Sequence, residues 1–458
     1  MKRLDTDTLA CVFEWTAFQA EYCQFGSGFD GSAWPRPLPA AFTLAAVCQT
    51  WRAVVLRTSF LWRDVQYCVN DELENDDVPL YIALLLERSG ICTLNLVVQY
   101  TTFADTVKLA NKTLSALMPR VRRLHVDVAW PCVPPSICDD SLSCLQLPTP
   151  HLEICSVFHE KQFDHELFSN VRWYPGAFLP YTPKLRVLHA GMIPLHTVGH
   201  ALVNLITLSS FDQSWLGARI SVDQILQRCP SLQSIGVVSS SISGPNSARD
   251  PVETERPIIP ISLQSIASGI SVLLRGHGPV DFSGLTHLDL TEPADATIWS
   301  TPEASIFLSK GTFPRLVSLV IPFLDWEQNS DVRLFICAQH TQNLTVVENN
   351  YYRFWRSGVS FFQNWADPNR IALLPDLRRL TIVHHSRRLR NKVFFPLATF
   401  LAAREDAGLS TAIESCTLYR RPSMPPPAED LLDAARVSQT VVVSRCTWKM
   451  PFGTAGGV

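Results

Sequence analysis

A short pattern recurs along most of this sequence and limits what the chain can fold into. Each instance has a proline or polar residue, a leucine-like residue, two intervening positions and a second aliphatic residue. We call the first aliphatic residue the key position; the key positions are Val121, Leu152, Leu185, Leu205, Leu232, Leu285, Leu316, Leu344 and Leu377. Neighbouring key positions lie 20 to 33 residues apart, except for the 53-residue step from Leu232 to Leu285. Such a period is typical of a solenoid rather than of separate globular domains.

The recurrence predicts an α/β solenoid with a parallel sheet over residues 118–448. One strand and one helix cannot bury an apolar face alone, whereas stacked strands about 4.8 Å apart share a continuous core. The units lack a regular asparagine, so we expect a degenerate leucine-rich-repeat superhelix, with a polar insertion near residues 239–260 inside the longest step. The alternative is chance recurrence in a leucine-rich chain.

The first 70 residues have a different texture and predict a small all-helical unit. Asp5 is a candidate N-cap for an amphipathic helix over residues 6–18, and a Gly/Pro-rich loop insertion around residues 21–40 follows it. A second helical stripe then contains Leu44, Val47, Cys48, Trp51, Val54 and Val55, and Leu61 and Trp62 close the segment. So small a core is marginal by itself and gains stability by docking on something else.

Residues 71–117 are predicted to form a linker helix and the first repeat. The helix is expected over residues 80–88 and to end at Ser89–Gly90, and residues 94–98 alternate like a strand. Further helices are predicted over residues 222–228, 304–310 and 332–340. Near the carboxyl end, a helix over residues 429–436 and a strand over residues 440–444 are expected to cap the last repeat, and residues 449–458 are expected to form a flexible tail.

Composition excludes several classes of protein. The 458 residues are 47% hydrophobic and 18% charged, which is far too apolar for a disordered chain. A formal net charge of −3 does not favour nucleic acid. Apolar runs are shorter than the roughly 20 residues that span a bilayer. We therefore expect a cytoplasmic or nuclear protein that binds neither nucleic acid nor membrane.

Neither a metal nor a catalytic site is predicted. The 13 cysteines include a dense group at Cys132, Cys138, Cys144 and Cys155, beside His151 and His159, but structural zinc ligands usually lie two to four residues apart and these do not. Buried thiols are the favoured interpretation. The chain has no nucleophile elbow, phosphate loop, dinucleotide fingerprint or zinc-protease helix motif. We therefore expect no enzyme activity and no cofactor.

The amino-terminal residues resemble an F-box. Residues 47–55 read VCQTWRAVV and residues 58–65 read TSFLWRDV, which matches the V-C-x-x-W-R helix and the L-W link of that motif. The opening LDTDTLACVF at residues 4–13 is similar to its first helix, although Asp5 stands for a proline and Thr8 for an aliphatic residue. Residues 86–90 and 93–96 are similar to a segment that follows the F-box in large fungal families, which commonly continue into irregular leucine-rich repeats.

This resemblance implies the substrate receptor of a cullin–RING ubiquitin ligase of the SCF type. The F-box would bind the ligase's adaptor, which joins it to the cullin scaffold, and the repeats would hold a client protein. The adaptor-binding set carried over from the motif is Leu9, Val12, Phe13, Val47, Cys48, Trp51, Leu61 and Trp62. Some of these must be internal core, and the sequence cannot sort them. The alternative is a ligase-independent scaffold whose amino-terminal helices cap the open end of the solenoid.

Two later stretches are candidates for binding the client. Aromatic residues and arginine dominate protein–protein hot spots, and they are concentrated at Tyr351, Tyr352, Phe354, Trp355 and Arg356, followed by Phe361, Phe362 and Trp365. The alternative, which we favour, is that these rings pack an inserted helix. A second stretch contains Arg387, Arg388 and Arg390, which could hold an acidic or phosphorylated segment or simply form a solvated loop.

Overall fold

The computed structural model divides the chain into two compact units. The first comprises Met1–Ile220 with Lys449–Val458, and the second Ser221–Trp448. The structure describes residues 5–13, 40–69, 77–100, 112, 114–128, 143–159, 178–190, 198, 202–210, 226, 228–237, 263–268, 282–290, 313–322, 330–347, 357–384, 394–409, 413, 415–420 and 441–445.

The first unit begins with a capped helix, as the sequence predicts. Residues 6–13 are helical (α1), and Asp5 caps them: its Oδ1 accepts a hydrogen bond from the Thr8 backbone N–H at 2.7 Å, and its Oδ2 accepts one from the Thr8 hydroxyl at 2.9 Å. Residues 14–39, which hold the rest of that predicted helix and the loop insertion, lie outside the described residues.

The predicted second stripe is not one helix. Helix α2 covers Ala40–Ala45 and helix α3 covers Gln49–Arg57, and a turn separates them. Cys48 is the N-cap of α3 and has extended backbone, so Val47 lies outside both helices. A 3₁₀ turn, Ser59–Trp62, leads directly into the first strand. Hydrophobic periodicity predicts one continuous helix because it does not show that Cys48 is an N-cap at which a new helix begins.

Six strands described in the first unit run parallel and pair in chain order. They are β1 Asp64–Val69, β2 Leu94–Tyr100, β3 Val121–Val128, β4 Ile154–His159, β5 Val187–Ala190 and β6 Thr207–Ser210. Helix α4, Asp77–Ser89, joins β1 to β2 and gives way to Gly90, whose φ of +53° is the left-handed conformation that favours glycine. Two further 3₁₀ turns, Met118–Arg120 and Ser143–Gln146, precede β3 and β4.

The second unit repeats this plan in its eight described strands. They are β7 Ser234–Val237, β8 Ser265–Ser268, β9 His287–Asp289, β10 Ser318–Pro322, β11 Asn343–Val347, β12 Arg379–His384, β13 Ser415–Arg420 and β14 Val441–Arg445. All pair in parallel with their sequence neighbours. Helices α5 Ser330–Cys337, α6 Ser357–Trp365 and α7 Phe394–Asp406 lie between the later strands. Each unit is thus a solenoid-like α/β arrangement, which confirms the predicted parallel sheet.

A common turn precedes the strands and explains the recurrent pattern. The backbone N–H of the key residue donates to the carbonyl three residues earlier, for example Leu185 to Thr182 at 3.1 Å and Leu316 to Phe313 at 3.2 Å. The residue after the key position then donates to the preceding repeat, as Arg186 does to Glu153 at 2.9 Å. Every predicted key residue is at most 1% exposed. The leucines are therefore the continuous core of each unit.

One predicted key position is wrong by three residues. Leu344 pairs in register with Leu319 and Leu380, which occupy the second aliphatic position of their repeats. The key position of that repeat is Thr341, whose N–H donates to the Ala338 carbonyl at 2.9 Å and which is fully buried. Because this key position holds a polar threonine instead of leucine, the leucine pattern predicts the wrong register here.

The 53-residue step contains a repeat that the sequence pattern missed. Leu263 and Ile266 are 2% and 0% exposed, and the backbone N–H of Gln264 donates to the Gln233 carbonyl at 2.8 Å. Strand β8 therefore divides the step. The predicted insertion over residues 239–260 lies outside the described residues, as do the helices predicted at 304–310 and 429–436; within the one predicted at 222–228, Leu226 and Arg228 are helical.

Strand β2 corrects the predicted alternation of residues 94–98. All seven of its residues are buried, including the polar Asn95 and Gln99 at 3% and 4% exposure. Asn95 donates to Asp64 Oδ1 at 2.7 Å, and Gln99 Nε2 donates to Asp127 Oδ2 at 3.4 Å. Strands covered on both faces do not alternate between a solvent-exposed and a buried side.

Among the helices described, none has the length and apolar content needed to cross a bilayer.

Candidate functional site

The amino-terminal helices pack around a small aromatic core. The ring centroids of Phe13 on α1 and Trp51 on α3 lie 4.7 Å apart in an edge-on arrangement. Phe13 is 1% exposed and Leu9, one helical turn earlier, is 6% exposed. The α1 face that carries these two residues is therefore used to hold the unit together.

A second aromatic contact joins these helices to the start of the sheet. Trp62 is 3% exposed, packs edge-on against Phe42 at 5.3 Å, and donates from Nε1 to the Val55 carbonyl at 2.9 Å. Leu61 beside it is 2% exposed. Because strand β1 begins at Asp64, the L-W dipeptide lies between helix α3 and the first strand, inside the protein.

The structure sorts the eight residues carried over from the F-box motif. Four are buried core residues: Leu9, Phe13, Leu61 and Trp62. Three are exposed, namely Val12, Val47 and Cys48, and Trp51 is intermediate. The sequence left this division open because a leucine or tryptophan in a helical stripe fits either a core or an interface.

We use the name amino-terminal surface for the residues of the F-box-like set that are not buried, Val12, Val47, Cys48 and Trp51, together with the exposed Leu56. Val12 is 47% exposed, Val47 58% and Leu56 37%. Sequence reasoning missed Leu56, although its place one residue after the buried Val54–Val55 pair puts it on the opposite side of α3.

Local hydrogen bonds hold the turn that carries Val47. The Cys48 thiol accepts from the Trp51 backbone N–H at 3.4 Å, which caps α3, and the Arg52 guanidinium donates to the Ala45 carbonyl at 3.1 Å. The Ala46 and Val47 N–H groups return to Phe42 and Leu44, respectively. The exposed valine is therefore presented by an ordered turn.

The aromatic and arginine residues predicted to bind the client have two outcomes. Tyr351, Tyr352, Phe354, Trp355 and Arg356 lie outside the described residues, as do Arg387, Arg388 and Arg390. Phe361, Phe362 and Trp365 on α6 are fully buried. Trp365 stacks on Phe335 of α5 at 5.3 Å and lies 4.4 Å from Phe400 of α7, so the favoured interpretation of these three rings as helix packing is confirmed.

A buried arginine supports the same helices. Arg404 on α7 is 4% exposed and donates from Nη1 to the Ile371 carbonyl at 3.2 Å and from Nη2 to the Leu374 carbonyl at 3.1 Å. Leu374 has a φ of +87°, which is strained for a residue with a β-carbon. Burial lowers the pKa of Arg404 to about 10, so the side chain remains a cation at neutral pH. We infer that these two hydrogen bonds of Arg404 hold the loop between α6 and β12, which contains Ile371 and Leu374.

The described cysteines of the predicted dense group are buried. Burial raises the pKa of the Cys144 thiol to about 11 and raises that of Cys155 further, which disfavours the thiolate that zinc requires. Among the described residues no three histidine, cysteine or acidic side chains cluster as metal ligands would.

Comparison with known proteins adds no assignment. No family model matches the chain, and no curated protein sequence matches it at a significant level.

Proposed function

We propose that this chain is the substrate-recognition subunit of a cullin–RING ubiquitin ligase of the SCF type. In this proposal the amino-terminal surface binds the ligase adaptor, and the repeats bind a client protein. The chain itself performs no chemistry: it raises the effective concentration of the client near the ubiquitin-loaded partner.

The exposed valines of the amino-terminal surface carry the proposal. Val12 is 47% exposed and Val47 is 58% exposed, so about half of each residue is in contact with water, whereas Leu9 and Phe13 of the same helical segment are buried. At roughly 25 cal/mol for each Å² of apolar surface, such residues favour a partner that covers them. The partly exposed Trp51 is a residue type that is enriched in interface hot spots.

The V-C-x-x-W-R segment agrees with this use. Its cysteine caps α3, its tryptophan is held by Phe13, and its first valine is exposed on an ordered turn. A preorganised apolar surface loses little conformational entropy on binding.

The second candidate function is a scaffold whose helices cap the first strand. The Trp62–Val55 hydrogen bond and the burial of Leu61 favour it, because they tie the L-W link to the sheet. The two functions differ in what they require of Val12 and Val47: a cap needs neither, and an adaptor-binding surface needs both.

Co-purification of the full chain with the ligase adaptor tests the proposal. The V12D/V47D double variant should lose adaptor binding by at least about 30-fold, since two carboxylates would be buried without partners. Both positions are exposed, so its far-ultraviolet spectrum and melting temperature should stay unchanged. A matched control is V203D, at a 55% exposed valine elsewhere in the first unit, which should bind the adaptor normally.

The outcomes separate the two functions. Absence of adaptor binding by the wild-type chain, or full binding by V12D/V47D, contradicts the ligase proposal. The cap interpretation then predicts that deletion of residues 1–70 lowers the melting temperature of the remaining chain.

A further inference from the structure

Basic side chains that are exposed or partly exposed lie at the amino ends of three neighbouring strands in the first unit. Lys184 and Arg186 flank the buried key residue Leu185, and both are exposed. His151 precedes the key residue of the previous repeat and is exposed, and Arg122 follows that of the repeat before it, with its side chain 38% exposed. Solenoids usually bind their partners with the loops at the carboxyl ends of the strands. The edge described here is the opposite one.

Backbone pairing arranges these side chains in two rows. The Glu153 N–H donates to the Arg122 carbonyl at 2.7 Å and the Arg186 N–H donates to the Glu153 carbonyl at 2.9 Å, so Arg122, Glu153 and Arg186 form one row. In the row one turn earlier, Lys184 Nζ lies 3.4 Å from His151 Nδ1. Strand spacing fixes neighbours within a row about 4.8 Å apart along the strand-to-strand direction.

Charge at this edge has the sign opposite to that of the whole chain. Glu153 pairs with Arg122, Nε to Oε2 at 3.0 Å, which leaves Lys184 and Arg186 without a carboxylate partner among the described residues. Arg122, Glu153, Lys184 and Arg186 together carry a formal charge of +2, on a chain whose net charge is −3. An anionic group that approaches here therefore meets two cations that no described acid neutralises.

The Lys184–His151 contact also sets what the edge can accept. An ammonium group can only donate, so His151 Nδ1 is the acceptor in this contact and the other ring nitrogen, Nε2, is left as the donor. The histidine therefore offers a further N–H donor beside Lys184. Carboxylate oxygens are the matching acceptors.

Exposed apolar residues lie in the same turns. Tyr181 is 58% exposed three residues before Lys184, and Val203 is 55% exposed in the next repeat. The Asn204 amide donates to the Pro183 carbonyl at 2.8 Å and ties these two turns together. Exposed tyrosine and arginine are residue types that are enriched at interface hot spots.

We propose that this edge, formed by Arg122, His151, Tyr181, Lys184, Arg186 and Val203, binds an acidic protein segment that carries at least one large apolar side chain. Carboxylates of the segment pair with Lys184 and Arg186, and its apolar side chain covers Tyr181 and Val203. The inference rests on the proposed function in one respect, that the repeats hold a partner protein, and it names the chemistry of that partner.

A protein segment fits this edge better than a nucleic acid does. Nucleic-acid binding depends on neutralising a run of phosphates, and each neutralised phosphate contributes to the salt dependence. Two cations without a carboxylate partner among the described residues, together with an exposed tyrosine and valine, provide short-range, mixed recognition instead.

Fluorescence anisotropy with the full chain, in the absence of the adaptor, tests the inference. The probe is a fluorescein-labelled dodecapeptide with six glutamates and two leucines, and the reference peptide has glutamine at each glutamate. We expect wild-type protein to prefer the acidic probe by at least about tenfold, the K184E/R186E variant to lose at least about tenfold in affinity, and Y181A to lose about threefold or more.

The second unit offers a matched control. Arg315 and Arg378 stand at the same places relative to the key residues Leu316 and Leu377 as Lys184 and Arg186 do relative to Leu185, and both are exposed. The R315E/R378E variant changes the net charge by the same amount and should bind the acidic probe within about twofold of wild type. If K184E/R186E unfolds, as seen by its melting curve, K184Q/R186Q takes its place with the same expected direction.

Several results overturn the inference: no preference of wild type for the acidic probe, equal losses in both double variants, or tighter binding of a 12-nucleotide single-stranded DNA than of the peptide. Because the adaptor is absent from this assay, such a result leaves adaptor co-purification untouched. Conversely, a chain that fails to bind the adaptor but binds the acidic peptide at this edge contradicts the ligase proposal alone.

Discussion

The indole N–H of Trp62 donates a 2.9 Å hydrogen bond to the backbone carbonyl of Val55, inside the amino-terminal core. The bond connects the end of helix α3 to the residue that leads into strand β1. Trp62 is thus one of the four residues of the F-box-like set that are buried, with Leu9, Phe13 and Leu61.

We predict that Trp62 contributes to stability and not to partner binding. Replacement by phenylalanine removes the hydrogen bond and part of the packing against Phe42, and should lower the free energy of unfolding by about 1–3 kcal/mol. Urea unfolding measures this change. Adaptor affinity of W62F should stay within about twofold of wild type; a loss of binding with unchanged stability would make Trp62 a contact residue.

Replacement of Thr341 by valine should stabilise the second unit. Thr341 fills a leucine position with a buried hydroxyl that has no hydrogen-bond partner among the described residues. Removing that hydroxyl while keeping the shape should raise the free energy of unfolding by about 1 kcal/mol. The matched control is T286V: the exposed Thr286 hydroxyl donates to the Gln264 carbonyl at 2.9 Å, so its loss should be neutral or slightly destabilising.

Stability should fall as the pH drops below neutrality, in part because of two histidines. Burial lowers the pKa of His189 and of His287 below 6.5, so the unfolded chain binds protons that the folded chain refuses. The stabilisation is present above pH 6.5 and is lost as the pH falls toward the folded-state values. Each histidine contributes at most about 1.4 kcal/mol per pH unit to this fall in the free energy of unfolding. The H189N/H287N variant should show a smaller fall in the free energy of unfolding between pH 7 and 5; an identical slope would contradict this account.

Arg404 should be essential for the loop between α6 and β12. Methionine at this position keeps the apolar stem but leaves the Ile371 and Leu374 carbonyls without their donors, which should cost about 2–4 kcal/mol. Differential scanning calorimetry measures the loss. In the control R370M, a residue near the same loop with a partly exposed side chain is changed, and a loss below about 1 kcal/mol is expected. Equal losses of stability in both variants would contradict the inference that Arg404 holds this loop.

The amino-acid sequence by itself determined the parallel, repetitive architecture and most of its core. The turn before each strand is local: a key leucine such as Leu185 and the aliphatic residue three positions later lie on the same buried side of one short segment. A pattern of this kind can be read without knowing what lies next to it.

Only the tertiary structure decided the register at Thr341, the extra repeat at Leu263 and the division of the amino-terminal stripe into core and surface. Pairing of Leu344 with Leu319 and Leu380 fixes which residue is the key one, and neighbouring strands make that choice rather than the local letters. Trp51 and Trp62 have the same apolar character in the sequence, yet Trp51 remains partly exposed and Trp62 is buried. Phe42 of α2 packs against Trp62, and the Val55 carbonyl of α3 accepts its indole hydrogen bond. Burial is a property of what packs against a side chain, and that information is spread over distant parts of the chain.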